Sequence, residues 1–319
     1  MKTENDAVSS AAKIGSAVFY ALASVLITTV NKSVLTSYKF PSANILSLGQ
    51  MACTIVVLFI AKLFGFISFP RLSRDLPRRV FPLPLFTLAN SLLGLNATQA
   101  LSIPMFTVLR RFSILMTMIL EFYMLKTKPN RFVVLSVFIM IFGALIAAAN
   151  DLAFDLLSYA FIFGNNLTTA ANGVYTKMFL NKKDLGKYGL LFYNALFGFP
   201  LVALLCHQIG HIDKALEFDG WSNPMFCLQF VMSCMMGLVL NFAVVLCTQF
   251  NTSLTTTVVG CLKNISIAYY GMLYFPDYVF SMLNFVGINI SILGSLLYSY
   301  VAFKTDKKTL PTHARTTKA

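Results

Sequence analysis

The chain has 319 residues, of which 57% are hydrophobic and only 12% charged. Soluble globular chains carry about a quarter of their residues as charge. A water-soluble fold of this composition would expose a large apolar surface, so that class is excluded, and disorder with it. The few charges are lopsided, 25 Lys plus Arg against 12 Asp plus Glu, a formal +13.

A spanning helix needs about 20 mainly apolar residues. Ten stretches qualify, near residues 13–35, 43–64, 81–101, 104–125, 131–150, 154–179, 189–207, 225–249, 252–275 and 282–303. They predict an all-α integral membrane protein. The first stretch exceeds the ~7–15 apolar residues of a signal peptide, and no small-residue cleavage site follows it, so it is expected to stay. A transmembrane β-barrel would show ~10-residue alternating segments, and these runs are unbroken. The loops are short and leave no room for a soluble domain. The expected organisation is a tail over 1–12, a ten-helix domain over 13–303 and a second tail over 304–319.

The bases sort by side. Loops on the side of the N-terminus hold Lys2, Lys13, Lys62, Arg71, Arg74, Arg78, Arg79, Lys126, Lys128, Arg131, Lys182, Lys183 and Lys187, and the second tail adds five more, making 18. The opposite loops hold only Lys39 and Lys214. This positive-inside bias predicts two cytosolic termini and an even helix count. The remaining five, Lys32, Arg110, Arg111, Lys177 and Lys263, fall inside the apolar stretches against one acid, Glu121. A charge there costs roughly 2.5–3.5 kcal/mol even on insertion scales, so it usually pairs or lines a pathway. One acid cannot pair five cations, and the excess points to an anionic solute. Lys32 and Lys177 lie near helix ends, where snorkelling to the interface is the plain alternative. Glu121 is either a salt-bridge partner or a proton-coupling carboxylate.

The chain halves near residue 152 into five stretches and five. Leu109-Arg110-Arg111-Phe112-Ser113-Ile114 in the fourth compares with Leu262-Lys263-Asn264-Ile265-Ser266-Ile267 in the ninth, and Gly143 with Gly294 in the next pair. An odd helix count per half inverts the second half, the plan of secondary transporters with a site at the midplane. The expected repeats are 13–150 and 154–303, with Arg110 and Lys263 equivalent. In the ninth stretch Thr256, Gly260 and Lys263 fall at i, i+4 and i+7, on one helical face. Gly260 removes bulk beside the ammonium, which suits a phosphate held by charge-assisted hydrogen bonds. Close helix packing is the plain alternative for that glycine. Tyr193-Asn194 in the seventh stretch offers an aromatic ring and a carboxamide for a nucleoside, or is structural.

Other signals fail. His207 and His211 have i, i+4 spacing, but no Glu follows His207 and the only other histidine is His313 in the tail; they are read as loop residues near Asp213, Glu217 and Asp219. The six cysteines read as small core residues, although Cys206 and Cys227 flank one loop within reach of bridging. Sequons such as Asn96-Ala97-Thr98 fall in helices or on the cytosolic side, away from glycosylation. No P-loop, GxSxG or GxGxxG cradle occurs, and no cofactor is implied. A membrane-embedded transferase would need acidic, His or Ser-based catalytic groups, and no such constellation appears in the sequence, so an enzyme is not expected. A cation or drug exporter would want buried acids.

Several long strings identify a family resemblance: Val30 through Thr36 (VNKSVLT), Pro104 through Leu115 (PMFTVLRRFSIL), Asp151 through Leu156 (DLAFDL), Leu185 through Leu196 (LGKYGLLFYNAL) and Leu254 through Asn264 (LTTTVVGCLKN). Over about residues 14–303 the chain resembles the nucleotide sugar transporters of the drug/metabolite transporter superfamily. It is most similar to the animal branch that carries UDP-glucuronate, UDP-N-acetylgalactosamine and UDP-N-acetylglucosamine. The resemblance implies ten helices, antiport of cytosolic nucleotide sugar against lumenal nucleoside monophosphate, and residence in the Golgi or ER. GDP-mannose members contact nucleotide through an FYNN motif on the seventh helix and a GALNK motif on the ninth. Here these read Phe192-Tyr193-Asn194-Ala195 and Gly260-Cys261-Leu262-Lys263-Asn264. The departures argue against guanine recognition and fit the UDP branch.

The expected cargo site is Lys32, Arg110, Arg111, Tyr193, Asn194, Thr256, Gly260, Lys263 and Asn264, with UDP-sugar and UMP as solutes. Lys263 with one or both arginines would take the diphosphate, Tyr193 and Asn194 the uridine, and Lys32 the sugar or closure of the cavity. Exchangers of another nucleotide sugar or phosphorylated metabolite share such a basic cavity. The distribution of bases speaks for an anionic solute within a lipid bilayer and against nucleic acid. The tail ends Thr317-Lys318-Ala319 without a dilysine signal at its usual place, which favours the Golgi membrane over the ER. Whether the chain forms a homodimer is left open.

Overall fold

The computed structural model describes residues 10–70, 72, 76–100, 103–148, 156–182, 185–261 and 282–308. Every regular element among them is helical. In chain order these are α1 (Ser10–Lys32), a π-helical turn (Ser33–Ser37), α2 (Ala43–Leu63), α3 (Leu76–Val80), α4 (Pro82–Ala100), α5 (Ile103–Leu109), α6 (Phe112–Leu125) and α7 (Arg131–Ala148). The second half holds α8 (Leu156–Lys182), α9 (Gly186–Gln208), α10 (His211–Leu216), a 3-10 turn (Asp219–Ser222), α11 (Pro224–Phe250), α12 (residues 253–261) and α13 (Met282–Lys308).

Capping chemistry sets several of these ends. Ser42 accepts from the Ile45 amide to open α2, and Asn223 accepts from the Met225 amide with Pro224 at the first helical position of α11. α6 stops where Lys126 turns left-handed at φ 55°.

The outside is apolar and the inside is mixed. Leu22, Leu26, Phe142 and Leu293 are more than half exposed, whereas Ser24, Thr117, Ser136, Asn166 and Ser233 are almost wholly buried. This inverts the soluble pattern and suits a bilayer, where small polar residues join helices. Among the described residues five helices are long and apolar enough to cross a membrane, within Ala11–Ser37, Ala43–Leu63, Gly186–Gln208, Pro224–Phe250 and Phe285–Ala302. Phe112–Leu125 and Arg131–Ala147 are shorter apolar helices. The chain is thus an all-helical membrane protein.

One expected element needs correction. The stretch 104–125 is two helices, α5 and α6, separated by a turn at Arg110-Arg111. Ser113 explains the break: its amide (3.1 Å) and hydroxyl (2.7 Å) both donate to the Arg110 carbonyl, displacing the regular i−4 bond.

Packing joins the two halves. The main helix pairs are α7 with α13, α4 with α8, α1 with α11, α6 with α8, and α2 with α11 and α9. The α7–α13 contact is so close that a Cβ on Gly143 would lie 2.5 Å from the Gly287 carbonyl and the Ser291 amide. A Cβ on Gly294 would lie 2.8 Å from the Met140 amide and 3.0 Å from the Ser136 carbonyl. Ser291 donates to the Met140 carbonyl at 2.9 Å across an interval of 151 residues. The same interval separates Gly143 from Gly294 and Ser136 from Gly287. Exchanging the two helices therefore maps this set of contacts onto itself.

Each end of the bundle is closed by a different set of contacts. At the end where α1 begins, Asn251 in the α11–α12 turn donates to the Lys13 carbonyl (3.2 Å) and the Ser16 hydroxyl (3.1 Å). At the other end, Phe40 packs against Phe218, Trp221, Phe226 and Phe230, with ring centroids 5.4–5.8 Å away. His211, expected as a loop residue, joins this end through Ser42 (3.0 Å) and Asn44 (3.3 Å). Cys206 and Cys227 are free thiols rather than a disulfide.

Candidate functional site

The break between α5 and α6 directs two adjacent arginines differently. Arg111 is buried and donates from Nη1 to Ser291 (2.5 Å) and Ser295 (3.5 Å) on α13. Arg110 is half-buried and lies over the Phe106 ring, 5.7 Å from its centroid. Among the described residues the Arg110 guanidinium makes no hydrogen bond or ion pair. Its planar fork of N–H donors is the group suited to an incoming phosphate.

Tyr20 meets α12. A Cβ on Gly260 would lie 2.8 Å from the Tyr20 hydroxyl. Gly260 thus lets α1 approach α12 closely, as the packing reading expects. Thr256 is buried and its hydroxyl is engaged, accepting from Thr248 (3.1 Å) and facing the Thr252 carbonyl (3.2 Å) and the Cys247 sulfur (3.4 Å) as donor. It serves the α11–α12 contact. Lys263 and Asn264 lie outside the described residues.

Tyr193 and Asn194 separate. Tyr193 is buried, donates to the Pro70 carbonyl at 2.6 Å and contacts the rings of Phe69, Phe192 and Phe197. It anchors the α2–α3 loop on α9. Asn194 is half-buried, and its buried Oδ1 has no hydrogen-bond partner among the described residues. Such an acceptor costs about 1–3 kcal/mol unless something donates to it. Lys32 is exposed at the end of α1. Beside it, Asn31 accepts from Ser233 (2.6 Å) and Gln50 (3.4 Å), and Ser33 donates to Gln229 (2.6 Å), joining α1, α2 and α11.

The remaining intramembrane charges have partners of their own. Lys177 donates to the carbonyls of Thr248 (2.8 Å), Gln249 (3.0 Å) and Asn251 (2.5 Å). Glu121 accepts from the Leu254 amide at 3.1 Å. The ammonium therefore caps the end of α11 and the carboxylate the start of α12, each matching the helix dipole. Neither the snorkelling reading of Lys177 nor a direct pairing describes this. Beside the turn lies a cavity of about 200 Å³ whose lining includes Lys13, Glu121, Lys128, Asn130 and Tyr298.

Sequence reading missed a carboxamide cluster. Asn90 on α4 accepts from Asn165 (2.7 Å), Thr168 (3.4 Å) and Thr169 (2.7 Å) on α8, and Asn172 donates to Thr87 (3.2 Å). Asn165, Thr168, Thr169 and Asn172 follow helical spacing, so one polar face of α8 was the available signal. No group of three or more His, Cys, Asp or Glu arranged for a metal occurs among the described residues.

Comparison with known proteins settles the family. The model of the triose-phosphate transporter family matches residues 13–299. The chain belongs to that family. It is 52% identical to the UDP-sugar transporter UST74c of Drosophila melanogaster, over 92% of this chain and 79% of the relative. It is 51% identical to the UDP-sugar transporter sqv-7 of Caenorhabditis elegans, over 93% and 91%. The human nucleotide sugar transporter SLC35D2 is 48% identical, over 95% and 90%. A crystal structure at 12% identity shares the fold with a TM-score of 0.62, over 91% of this chain and 99% of the other. This family member resembles transporters, and it is not an enzyme.

Proposed function

We propose that the chain is a nucleotide sugar antiporter that moves cytosolic UDP-sugar into the lumen of the Golgi in exchange for UMP. The cargo class includes UDP-glucuronate, UDP-N-acetylgalactosamine and UDP-N-acetylglucosamine. The observation that carries this reading is Arg110, an intramembrane guanidinium with no hydrogen-bond or ion-pair partner among the described residues. It occurs in a chain 52% identical to a protein named as a UDP-sugar transporter. An anion arriving there neutralises a charge the protein leaves open, which lowers the cost of the occluded state.

In this mechanism Arg110 and Lys263 take the phosphates, and Asn194 accepts a donor from the nucleoside. Arg111, Thr256 and Tyr193 support the frame that holds them. Ten spans in two inverted repeats, with both termini cytosolic, provide alternating access. The self-mapping contacts of α7 and α13 support the repeat, as does the match of α1–α11 with α4–α8 when the halves exchange.

A second reading is exchange of another nucleotide sugar or a phosphorylated metabolite, which the family's description as triose-phosphate transporters favours. One experiment separates the two. Proteoliposomes loaded with UMP are offered labelled UDP-sugars, inorganic phosphate and triose phosphate. Uptake of UDP-sugar that depends on internal UMP supports antiport. Uptake of phosphate or triose phosphate alone overturns it, and so does chemical conversion of the UDP-sugar. Normal exchange by Lys263→Ala protein removes Lys263 from the site.

A further inference from the structure

The α5–α6 break frees a main-chain carbonyl inside the bundle. In an unbroken helix Leu109 O would accept from the Ser113 amide. That amide bonds Arg110 O instead. Asn166 of α8, fully buried, replaces it and donates from Nδ2 to Leu109 O at 2.9 Å. Only the amino end of a carboxamide can meet a carbonyl, so this contact fixes the orientation of Asn166. It leaves Asn166 Oδ1 buried without a partner among the described residues, a cost the fold bears while keeping the Leu109 bond.

The bond lies one residue before Arg110. On the following residue, Arg111 is pinned to Ser291 and Ser295. The Arg110 backbone is thus fixed from α8 on one side and from α13 on the other. We propose that Asn166 is a positioning residue for cargo, holding the break so that Arg110 stands over Phe106 with its donors open. The inference rests on the reading of Arg110 as a phosphate ligand.

A double-mutant cycle tests it on purified full-length protein by equilibrium binding of labelled UMP. Arg110→Ala is expected to weaken binding about tenfold or more, as loss of a charge-assisted hydrogen bond does. Asn166→Leu removes the donor at similar volume and is expected to weaken binding by up to about tenfold. The double variant should bind like Arg110→Ala alone, within about twofold, because Asn166 acts through Arg110. A double variant showing the product of both losses overturns the positioning role and leaves the cargo reading standing. Wild-type binding by Asn166→Leu overturns it too. Wild-type binding by Arg110→Ala overturns the cargo role of Arg110 and this inference together. If Asn166→Leu does not fold, Asn166→Thr, whose shorter donor falls short of Leu109, takes its place in the cycle with the same outcomes.

Discussion

Glu121 and Lys177 hold the two sides of one turn. The carboxylate accepts from the first amides of α12 through Leu254, and the ammonium donates to three carbonyls at the end of α11. Two intramembrane charges of opposite sign thereby stabilise helix termini rather than cargo.

Lys177→Met should therefore lower stability and spare cargo recognition. Hydrogen bonds to a charged group contribute about 1.5–3 kcal/mol and do not add when shared by one donor. A loss of about 2 kcal/mol is expected, read as a lower unfolding temperature in detergent. UMP should still raise that temperature by as much as in wild type. An unchanged temperature with the UMP shift abolished would make Lys177 a cargo ligand instead.

Glu121 separates a cap from a proton carrier. Gln keeps the acceptor for the Leu254 amide but cannot titrate. Glu121→Gln is expected to exchange UDP-sugar for UMP at a rate within about threefold of wild type, whereas Glu121→Ala should lose about 1 kcal/mol of stability as a missing cap does. Exchange is measured in proteoliposomes with and without an imposed pH gradient. A gradient response present in wild type and absent in Glu121→Gln would restore the coupling role.

The α7–α13 contact gives a steric prediction. Gly143→Ala would place a Cβ 2.5 Å from main-chain atoms of Gly287 and Ser291, which cannot yield as a flexible side chain can. The helices must part, and a destabilisation of about 1–3 kcal/mol is expected. Gly15 has nothing within 4 Å of the same added carbon, so Gly15→Ala should be neutral or gain up to about 1 kcal/mol from helix propensity. Thermal unfolding of both variants side by side checks the contrast.

What the sequence made legible was the apolar pattern and the unusual charges. The stretches near 13–35, 43–64 and 225–249 overlap α1, α2 and α11 because a helix crossing lipid must satisfy its backbone internally, and this leaves a long run of apolar residues. Arg110 stood out because few bases occur where water is absent. The division of labour between Arg110 and Arg111 was not legible, since adjacent residues carry the same signal until a turn separates them. Tyr193 was expected at cargo because its neighbours match a motif; that its hydroxyl meets Pro70, a residue 123 positions away, was not legible. Asn166 gave no signal, because its role arises from a carbonyl that only the broken helix leaves free.

Gly260 and Tyr20 offer a test of close approach with its own rescue. Gly260→Ala puts a methyl 2.8 Å from the Tyr20 hydroxyl. Tyr20 is buried and its ring has little room to shift, so about 1 kcal/mol should be lost. Tyr20→Phe removes the clashing oxygen. In the double variant the two effects should not add, and stability should recover to that of Tyr20→Phe within about 0.5 kcal/mol. Additive losses in thermal unfolding would mean that the two helices do not meet at this point.

The adjacent arginines should give opposite phenotypes. Arg111 is buried and bonded to Ser291 and Ser295. Arg111→Ala leaves those serines and a void behind, and a stability loss of about 3 kcal/mol is expected, as for other buried hydrogen-bonded charges. Arg110 has no such partner among the described residues, so Arg110→Ala should unfold within about 2 °C of wild type, in the range of substitutions that remove no native contact network. Its half-saturating UMP should rise by roughly tenfold to a hundredfold, equivalent to about 1.4–2.8 kcal/mol. Arg110→Lys should recover only part of this, because an ammonium offers no planar fork to a phosphate. Initial rates of counterflow over a range of UMP, set beside unfolding temperatures for the three variants, decide the matter. Equal stability losses at both positions would place Arg110 in the frame with Arg111, and the phosphates would need another ligand.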